Sequence, residues 1–120
     1  ALSHDEVMEL FRTSLVYIGH SLSDGISTSM LEAMAMGAIP IQTCTSCADE
    51  WLVDGETGFL VEPNDKLAIQ SALTSILESN FNTNSAREKN YQTIQARYDP
   101  SALGEIASEY YETFRIKPWN

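Results

Sequence analysis

Two carboxylates surround a predicted helix start in the first third of this chain. Asp24 is followed by Gly25, and Glu32 lies inside the short apolar helix that Gly37 ends. Backbone N–H groups at a helix start have no intrahelical partner and attract an anion such as a diphosphate. Carboxylates beside such a site accept hydrogen bonds from sugar hydroxyls. Phosphate and sugar together indicate a nucleotide sugar as the ligand.

The stretch from Ser23 to Gly37, SDGISTSMLEAMAMG, resembles the donor-site signature of the retaining glycosyltransferases of the GT-B fold, known as group 1 or family 4. In that signature an acidic residue, seven further residues and a glutamate lead into an Ala-Met-Ala-x-Gly helix. The run from Glu50 to Val61 is similar to a second motif of the family, which has a Gly-x-Thr-Gly centre. The resemblance implies transfer of a sugar from a nucleotide diphosphate sugar to an acceptor, with retention at the anomeric carbon.

The resemblance also implies roles for individual residues. Glu32 would accept hydrogen bonds from the ribose hydroxyls. Asp24, which stands where the family usually has glutamate, would be the catalytic residue that faces the transferred sugar. Four further residues would surround the diphosphate with hydroxyl and backbone N–H groups: Gly25, Ser27, Thr28 and Ser29. Purely structural alternatives stay open, because Ser29 and Glu32 have the spacing of a capping box and Asp24-Gly25 is a common turn dipeptide.

For the other polar residues near the predicted strand ends, the sequence favours a structural role over ligand binding. His20 follows the first strand, where it is either a loop histidine or a donor contact. Glu50 has an acidic side chain at the start of a short helix, which the helix dipole favours. The loop before it, TSCA at 45–48, lacks the glycines of the family. Cys44 and Cys47 form a single CxxC pair with no second pair, which we interpret as reduced cysteines rather than a redox pair or zinc site. We therefore expect no bound metal.

The composition restricts the class of ligand. The chain has 120 residues, enough for at most one domain, and a net charge of −10 from 17 acidic and 7 basic side chains. This charge argues against sequence-independent binding to nucleic acid and against binding to anionic lipid. No apolar run approaches the roughly 18 residues of a membrane span, and no signal peptide is visible. We expect a cytoplasmic location, with membrane association of the full-length enzyme as an alternative.

The order of the predicted elements indicates an α/β fold. Strands are predicted at 15–18, 39–43 and 58–61, and helices at 4–13, from 27 or 29 to 36, at 48–53, 66–77, 86–96 and 100–114. This alternation is typical of a Rossmann-like parallel sheet with flanking helices. The first strand is apolar at consecutive positions, which predicts burial on both faces. In the helix at 86–96, Tyr91 and Ile94 are predicted to make the contacts with the core.

The resemblance further implies that residues 1–120 are a partial C-terminal nucleotide-sugar-binding domain of a GT-B enzyme. The first strands of that domain, its basic pair and the N-terminal domain that binds a sugar or glycolipid acceptor would all lie upstream. The piece alone would be inactive, would need no cofactor beyond its donor substrate, and would tend to self-associate through an exposed sheet edge. Polysaccharide biosynthesis is the expected context. Two rival functions remain: a non-catalytic partner-binding module of the same fold, and a sugar-nucleotide epimerase.

Overall fold

The computed structural model describes residues 1–23, 25–45, 47–98 and 100–115, without the side chains of residues 102, 110, 111 and 113–115. Its elements are α1 (His4–Thr13), β1 (Val16–Gly19), α2 (Thr28–Met36), β2 (Ile39–Thr43), a 3-10 helix (Ala48–Glu50), β3 (Phe59–Val61), α3 (Lys66–Leu77), α4 (Thr83–Arg97) and α5 (Pro100–Arg115). The element order and the Rossmann-like α/β class are as predicted from the sequence.

The three strands form one parallel sheet in the order β1-β2-β3. Val16 pairs with Ile39, and Ile41 pairs with Phe59, which fixes the register on both sides of β2. All three strands therefore end at the same edge of the sheet. At that edge Thr43 Oγ1 accepts a hydrogen bond from the Ser21 N–H (3.0 Å) and donates one to the Ser21 carbonyl oxygen (2.8 Å), which holds the loop after β1 beside the end of β2.

Two apolar clusters cover the two faces of the sheet, because alternate strand residues point to opposite sides. Ile39 and Ile41 of β2 pack with Ala72 and Ile76 of α3 in the first cluster. The second cluster lies on the α2 face and has larger side chains: Met30, Leu31, Met34, Trp51 and Leu52. Both clusters are largely closed to solvent, and α2 and β2, which position the site, contribute many of the buried residues.

Local hydrogen bonds explain where the helices begin and end. Ser3 and Glu6 form the predicted capping box of α1, and the Asp65 side chain accepts from the Ala68 N–H at the start of α3 (2.9 Å). Helix α4 begins at Thr83, earlier than predicted, because the Asn82 side chain accepts from the backbone N–H of Ser85 (3.0 Å). These caps satisfy backbone groups that a helix terminus otherwise leaves unpaired.

Three expectations about burial and length are wrong. Ile18 is 48% exposed, because α3 packs mainly on β2 and β3 and leaves this face of β1 open. Tyr91 is 48% exposed as well. The buried side of α4 instead runs through Ala86 and Asn90, with the Asn90 Nδ2 donating to the Thr57 carbonyl oxygen (2.8 Å). The predicted core contact of Ile94 is confirmed, because it packs against the second cluster. The predicted helix at 48–53 is only one 3-10 turn at 48–50.

Candidate functional site

The start of α2 offers backbone N–H groups at the edge where the strands end. Ser27 is the N-cap, and its Oγ accepts from the Met30 N–H (3.3 Å). The first intrahelical hydrogen bond runs from the Leu31 N–H to the Ser27 carbonyl oxygen (3.2 Å). The N–H groups of Thr28 and Ser29 precede that bond and have no acceptor within the helix. Because Ser27 rather than Ser29 is the cap, Glu32 does not close a capping box, and that structural alternative is wrong.

A narrow cleft lies between the α2 start and the segment that follows β2, and we call it the sheet-edge cleft. Its lining combines two predicted site residues with residues from β2 and the 3-10 turn: Gly25, Ile26, Ser27, Met30, Gln42, Thr45, Cys47, Ala48 and Trp51. The predicted catalytic residue Asp24 lies outside the described residues. Its neighbour Gly25 is exposed at the mouth of the cleft, so the cleft opens where the chain leads into α2.

Glu32 lies on a different side of the same helix. It lines a mostly apolar depression of about 190 Å³ between α2 and α4, which we call the α2–α4 groove. The other residues of the groove are Thr28, Leu31, Ala35, Ile94 and Tyr98. The Glu32 side chain is 30% exposed, and its Oε1 lies 2.9 Å from Nε2 of His4. The carboxylate is therefore within reach of a ligand in the groove.

The contact with Glu32 changes the titration of His4. Hydrogen bonding and charge attraction from Glu32 together raise the pKa of His4 above its ordinary value of 6.5. His4 is the first residue of α1 and is highly exposed, so its imidazole can swing away when another donor reaches the carboxylate. Glu32 thus has a replaceable partner, which is what a residue that binds hydroxyl groups needs.

The structure therefore divides the predicted site residues between two surfaces on either side of one helix start. Gly25 and Ser27 line the sheet-edge cleft, whereas Thr28 and Glu32 line the α2–α4 groove. Ser29 is exposed and is in the lining of neither. The two surfaces meet the helix start at neighbouring residues, Ser27 for the cleft and Thr28 for the groove. An anion bound there would have a carboxylate on one side and the cleft on the other.

The remaining candidates have partners within the fold. His20 Nε2 accepts from the Asn64 N–H (3.1 Å), which connects the loops after β1 and β3. Glu50 is exposed and lies 3.9 Å from the guanidinium of Arg97, measured from Oε2 to Nη2. Arg97 also stacks on the Trp51 ring, with its Cζ 3.7 Å from the ring centroid. The structural interpretation of His20 agrees with its contact, whereas Glu50 is the last residue of the 3-10 turn and lies beside Arg97 instead of at a helix start.

Cys44 and Cys47 are free thiols in the structure. Within the described part of the chain, no group of three or more His, Cys, Asp or Glu side chains is arranged to hold a metal ion. None of the described helices is long and apolar enough to cross a membrane.

Sequence reasoning missed Gln42 and Thr45. Both line the sheet-edge cleft, and each has a buried oxygen, Gln42 Oε1 and Thr45 Oγ1, without a hydrogen-bond partner among the described residues. The one available signal was a glutamine in a strand that is otherwise apolar up to its last residue. That signal alone does not say which way the amide points.

Comparison with known proteins shows the family and the fold of the chain. The family model described as "Glycosyl transferases group 1" matches residues 1–95. An uncharacterised glycosyltransferase of Methanocaldococcus jannaschii is 29% identical over 77 residues, which are 63% of this chain and 20% of that protein. The C-terminal domain of a group 1 glycosyl transferase from Francisella tularensis superposes with a TM-score of 0.74 at 25% identity, over 83% of this chain and 51% of that one. Sucrose-phosphate synthase from Thermosynechococcus elongatus shares the fold, with a TM-score of 0.85 at 21% identity over 97% of this chain and 29% of that one.

Proposed function

The chain belongs to the group 1 glycosyl transferases, and we propose that it binds the nucleotide diphosphate sugar from which the complete enzyme transfers a sugar. One observation carries this proposal: the open N-terminus of α2 lies beside the accessible carboxylate of Glu32, at the edge where parallel strands end. Ligands of open α/β sheets bind at that edge. The chain spans only a fifth to about half of the relatives described above, so the activity of the whole protein is itself part of the proposal.

The diphosphate would bind at the start of α2. The N–H groups of Thr28 and Ser29 point out of the helix end, and the hydroxyls of Ser27 and Thr28 are nearby. A helix dipole stabilises an anion at this end by about 0.3–1 kcal/mol. This arrangement lets an acidic chain hold a phosphorylated ligand, because the positive groups are backbone dipoles rather than lysine or arginine side chains.

The ribose would bind at Glu32. A carboxylate has two oxygens and can accept hydrogen bonds from two neighbouring hydroxyls at once. To do so the ribose would displace the His4 imidazole, which is held by one exposed contact. Leu31 and Ile94 give the α2–α4 groove apolar walls, and Tyr98 adds an aromatic ring. These walls suit the uncharged ring of a nucleobase that continues from the ribose.

Asp24 would act on the transferred sugar. In sugar transfer the anomeric carbon gains positive charge as the diphosphate leaves, and a nearby carboxylate stabilises that charge. Asp24 directly precedes Gly25 at the mouth of the sheet-edge cleft, so the proposal assigns the transferred sugar to the cleft side of the helix. Retention at the anomeric carbon is proposed on the resemblance of this segment to the retaining enzymes.

The charge of the leaving diphosphate needs cationic groups, and three of the described arginines have other partners. Arg97 is stacked on Trp51, Arg12 is paired with Glu9, and Arg87 donates to the carbonyl oxygen of Gly37 at the far end of α2. We therefore place the cation and the acceptor site, for a sugar or a glycolipid, in other parts of the enzyme. Polysaccharide synthesis in the cytoplasm, or at a membrane facing it, is the proposed setting.

A transfer assay on the complete protein tests the proposal. The protein is incubated with UDP-glucose, UDP-galactose, GDP-mannose or ADP-glucose and a glycolipid extract, and NMR follows the anomeric proton of the product. We expect nucleotide release that depends on the acceptor and a product with the anomeric configuration of the donor. Binding without any turnover would favour a non-catalytic module, and conversion of the donor into an epimeric nucleotide sugar without an acceptor would favour an epimerase.

A further inference from the structure

The imidazole of His4 contacts the carboxylate of Glu32 across the surface between α1 and α2. His4 Nε2 lies 2.9 Å from Glu32 Oε1, and the side chains of the two residues are 69% and 30% exposed. None of the residues of α1 is buried. The contact can therefore open and close without disturbing either apolar cluster. In the free chain, the carboxylate to which we assign the ribose is occupied by a side chain of the same molecule.

The strength of this contact depends on the protonation of His4. A protonated imidazole is a cation, and its Nε2–H donates a charged hydrogen bond to the carboxylate, which is roughly twice as strong as a neutral one. The hydrogen bond and the charge of Glu32 raise the pKa of His4 above 6.5, and Asp5 adds a smaller effect in the same direction. A raised pKa means that the contact is strongest in acid and weakens as His4 loses its proton.

The other charged groups around His4 do not replace Glu32 as the partner of the imidazole. Helix α2, on which α1 packs, has Glu32 as its one titratable side chain. On α1 itself, Glu6 accepts from the backbone N–H of the N-cap residue, which lowers the pKa of Glu6, and Glu9 is paired with an arginine one turn further along. Asp5 adjoins His4 in the sequence and is the weaker influence. Glu32 is therefore the group that holds a proton on His4.

We propose that His4 competes with the donor for Glu32 and thereby makes donor binding depend on pH, an inference that rests on the donor-binding function proposed above. In acid, the imidazolium holds the carboxylate and hinders the ribose. When the ribose takes the carboxylate, His4 is left at the first residue of α1, where the helix dipole disfavours a positive charge. The imidazole then gives its proton to the solvent. Because binding releases a proton, it becomes tighter as the pH rises.

The pH dependence of donor affinity tests the proposal. The tightest binder among UDP-glucose, UDP-galactose, GDP-mannose and ADP-glucose is titrated calorimetrically into the complete protein between about pH 5 and pH 8, where histidines titrate. A nucleotide sugar is used because the terminal phosphate of a nucleoside diphosphate itself titrates near about pH 6. The wild-type affinity should rise by about 2- to 5-fold over this range, as expected for an exposed ion pair. The released proton should make the binding enthalpy differ between phosphate and Tris buffers.

The two histidines of the chain provide the variant and its matched control. His4→Gln keeps a neutral hydrogen-bond donor but cannot take up a proton, so its affinity should be the same at both ends of the pH range. His20→Gln keeps an acceptor for the Asn64 N–H and should retain the pH dependence of the wild type. The same pH dependence in His4→Gln as in the wild type, or its loss in His20→Gln, would overturn the role of His4.

NMR titration of His4 extends the test to the unaltered protein, so the result does not depend on how a variant folds. The pKa of His4 is measured in the free protein and in protein saturated with the nucleotide sugar. We expect a lower pKa in the saturated protein, because the ribose has taken the carboxylate. An unchanged or higher pKa, or an affinity that does not change with pH, would overturn the competition and leave the proposed function standing. Failure of the wild-type protein to bind any of the four compounds at any pH would overturn both.

Discussion

The start of β3 passes unusually close to β2, which makes Gly58→Ala a sharp test of the packing beneath the site. A Cβ atom on Gly58 would lie 2.6 Å from the carbonyl oxygen of Pro40 and 3.3 Å from Leu52 Cδ2. Ordinary contacts begin at about 3.4 Å, so the Pro40 carbonyl would have to retreat by roughly 0.8 Å. Pro40 is fully buried in the central strand. Overpacking of this kind costs about 1–3 kcal/mol, and we expect the free energy of unfolding in urea to fall by that amount with an unchanged m-value.

Two other glycines separate the steric effect from the backbone effect. Gly25 has no heavy atom within 4 Å of an added Cβ, so Gly25→Ala should leave the free energy of unfolding unchanged or raise it by up to about 1 kcal/mol. Gly55 also has open space but a φ of +73°, so Gly55→Ala should cost about 1–2 kcal/mol through the backbone alone. If Gly58→Ala unfolds with the same free energy as Gly25→Ala, the close approach of β3 to Pro40 is refuted.

Two further predictions concern the carboxylates. An NMR titration should place the pKa of His4 above 6.5, and Glu32→Gln should lower that pKa. Any stability from this pair is therefore present below pH 6.5 and lost as the pH rises through the raised pKa. An unchanged His4 titration in Glu32→Gln would contradict the contact. Asp24→Ala should lower turnover and leave nucleoside diphosphate affinity nearly unchanged, and Asp24→Glu should change the preferred donor sugar. Equal loss of nucleoside diphosphate binding in Asp24→Ala and Glu32→Ala would refute this division of roles.

Features that depend on a few neighbouring residues could be predicted from the sequence. The capping box at Ser3, the cap at Asp65 and the end of α2 at Gly37 each involve residues within one helical turn. The strands could be predicted because each is an apolar run too short for a typical helix and is flanked by glycine or other turn residues. The start of α4 also follows from a local feature, the cap at Asn82, so the error in its predicted start is only three residues.

Features that depend on packing between distant segments could not be predicted in this way. Ile18 is exposed because α3 covers mainly β2 and β3. Tyr91 is exposed because the side of α4 that carries Ala86 and Asn90 is the buried one. The sequence motif identified the helix start and Glu32, but it did not show that Glu32 faces a groove separate from the cleft. The unpaired amide of Gln42 depends on the strand register that sets it opposite Gly19. No local pattern contains that information.

Calorimetric titration of UDP, GDP and ADP into wild-type protein and Glu32→Ala tests the central claim most directly. The account predicts that the wild type binds at least one nucleoside diphosphate. It also predicts that Glu32→Ala binds the same compound about 10- to 100-fold more weakly, because a charged hydrogen-bond acceptor for the ribose is lost. Glu78→Ala, at the exposed end of α3 on the opposite face of the sheet, should bind like the wild type. Equal affinity of Glu32→Ala and wild type would contradict the account.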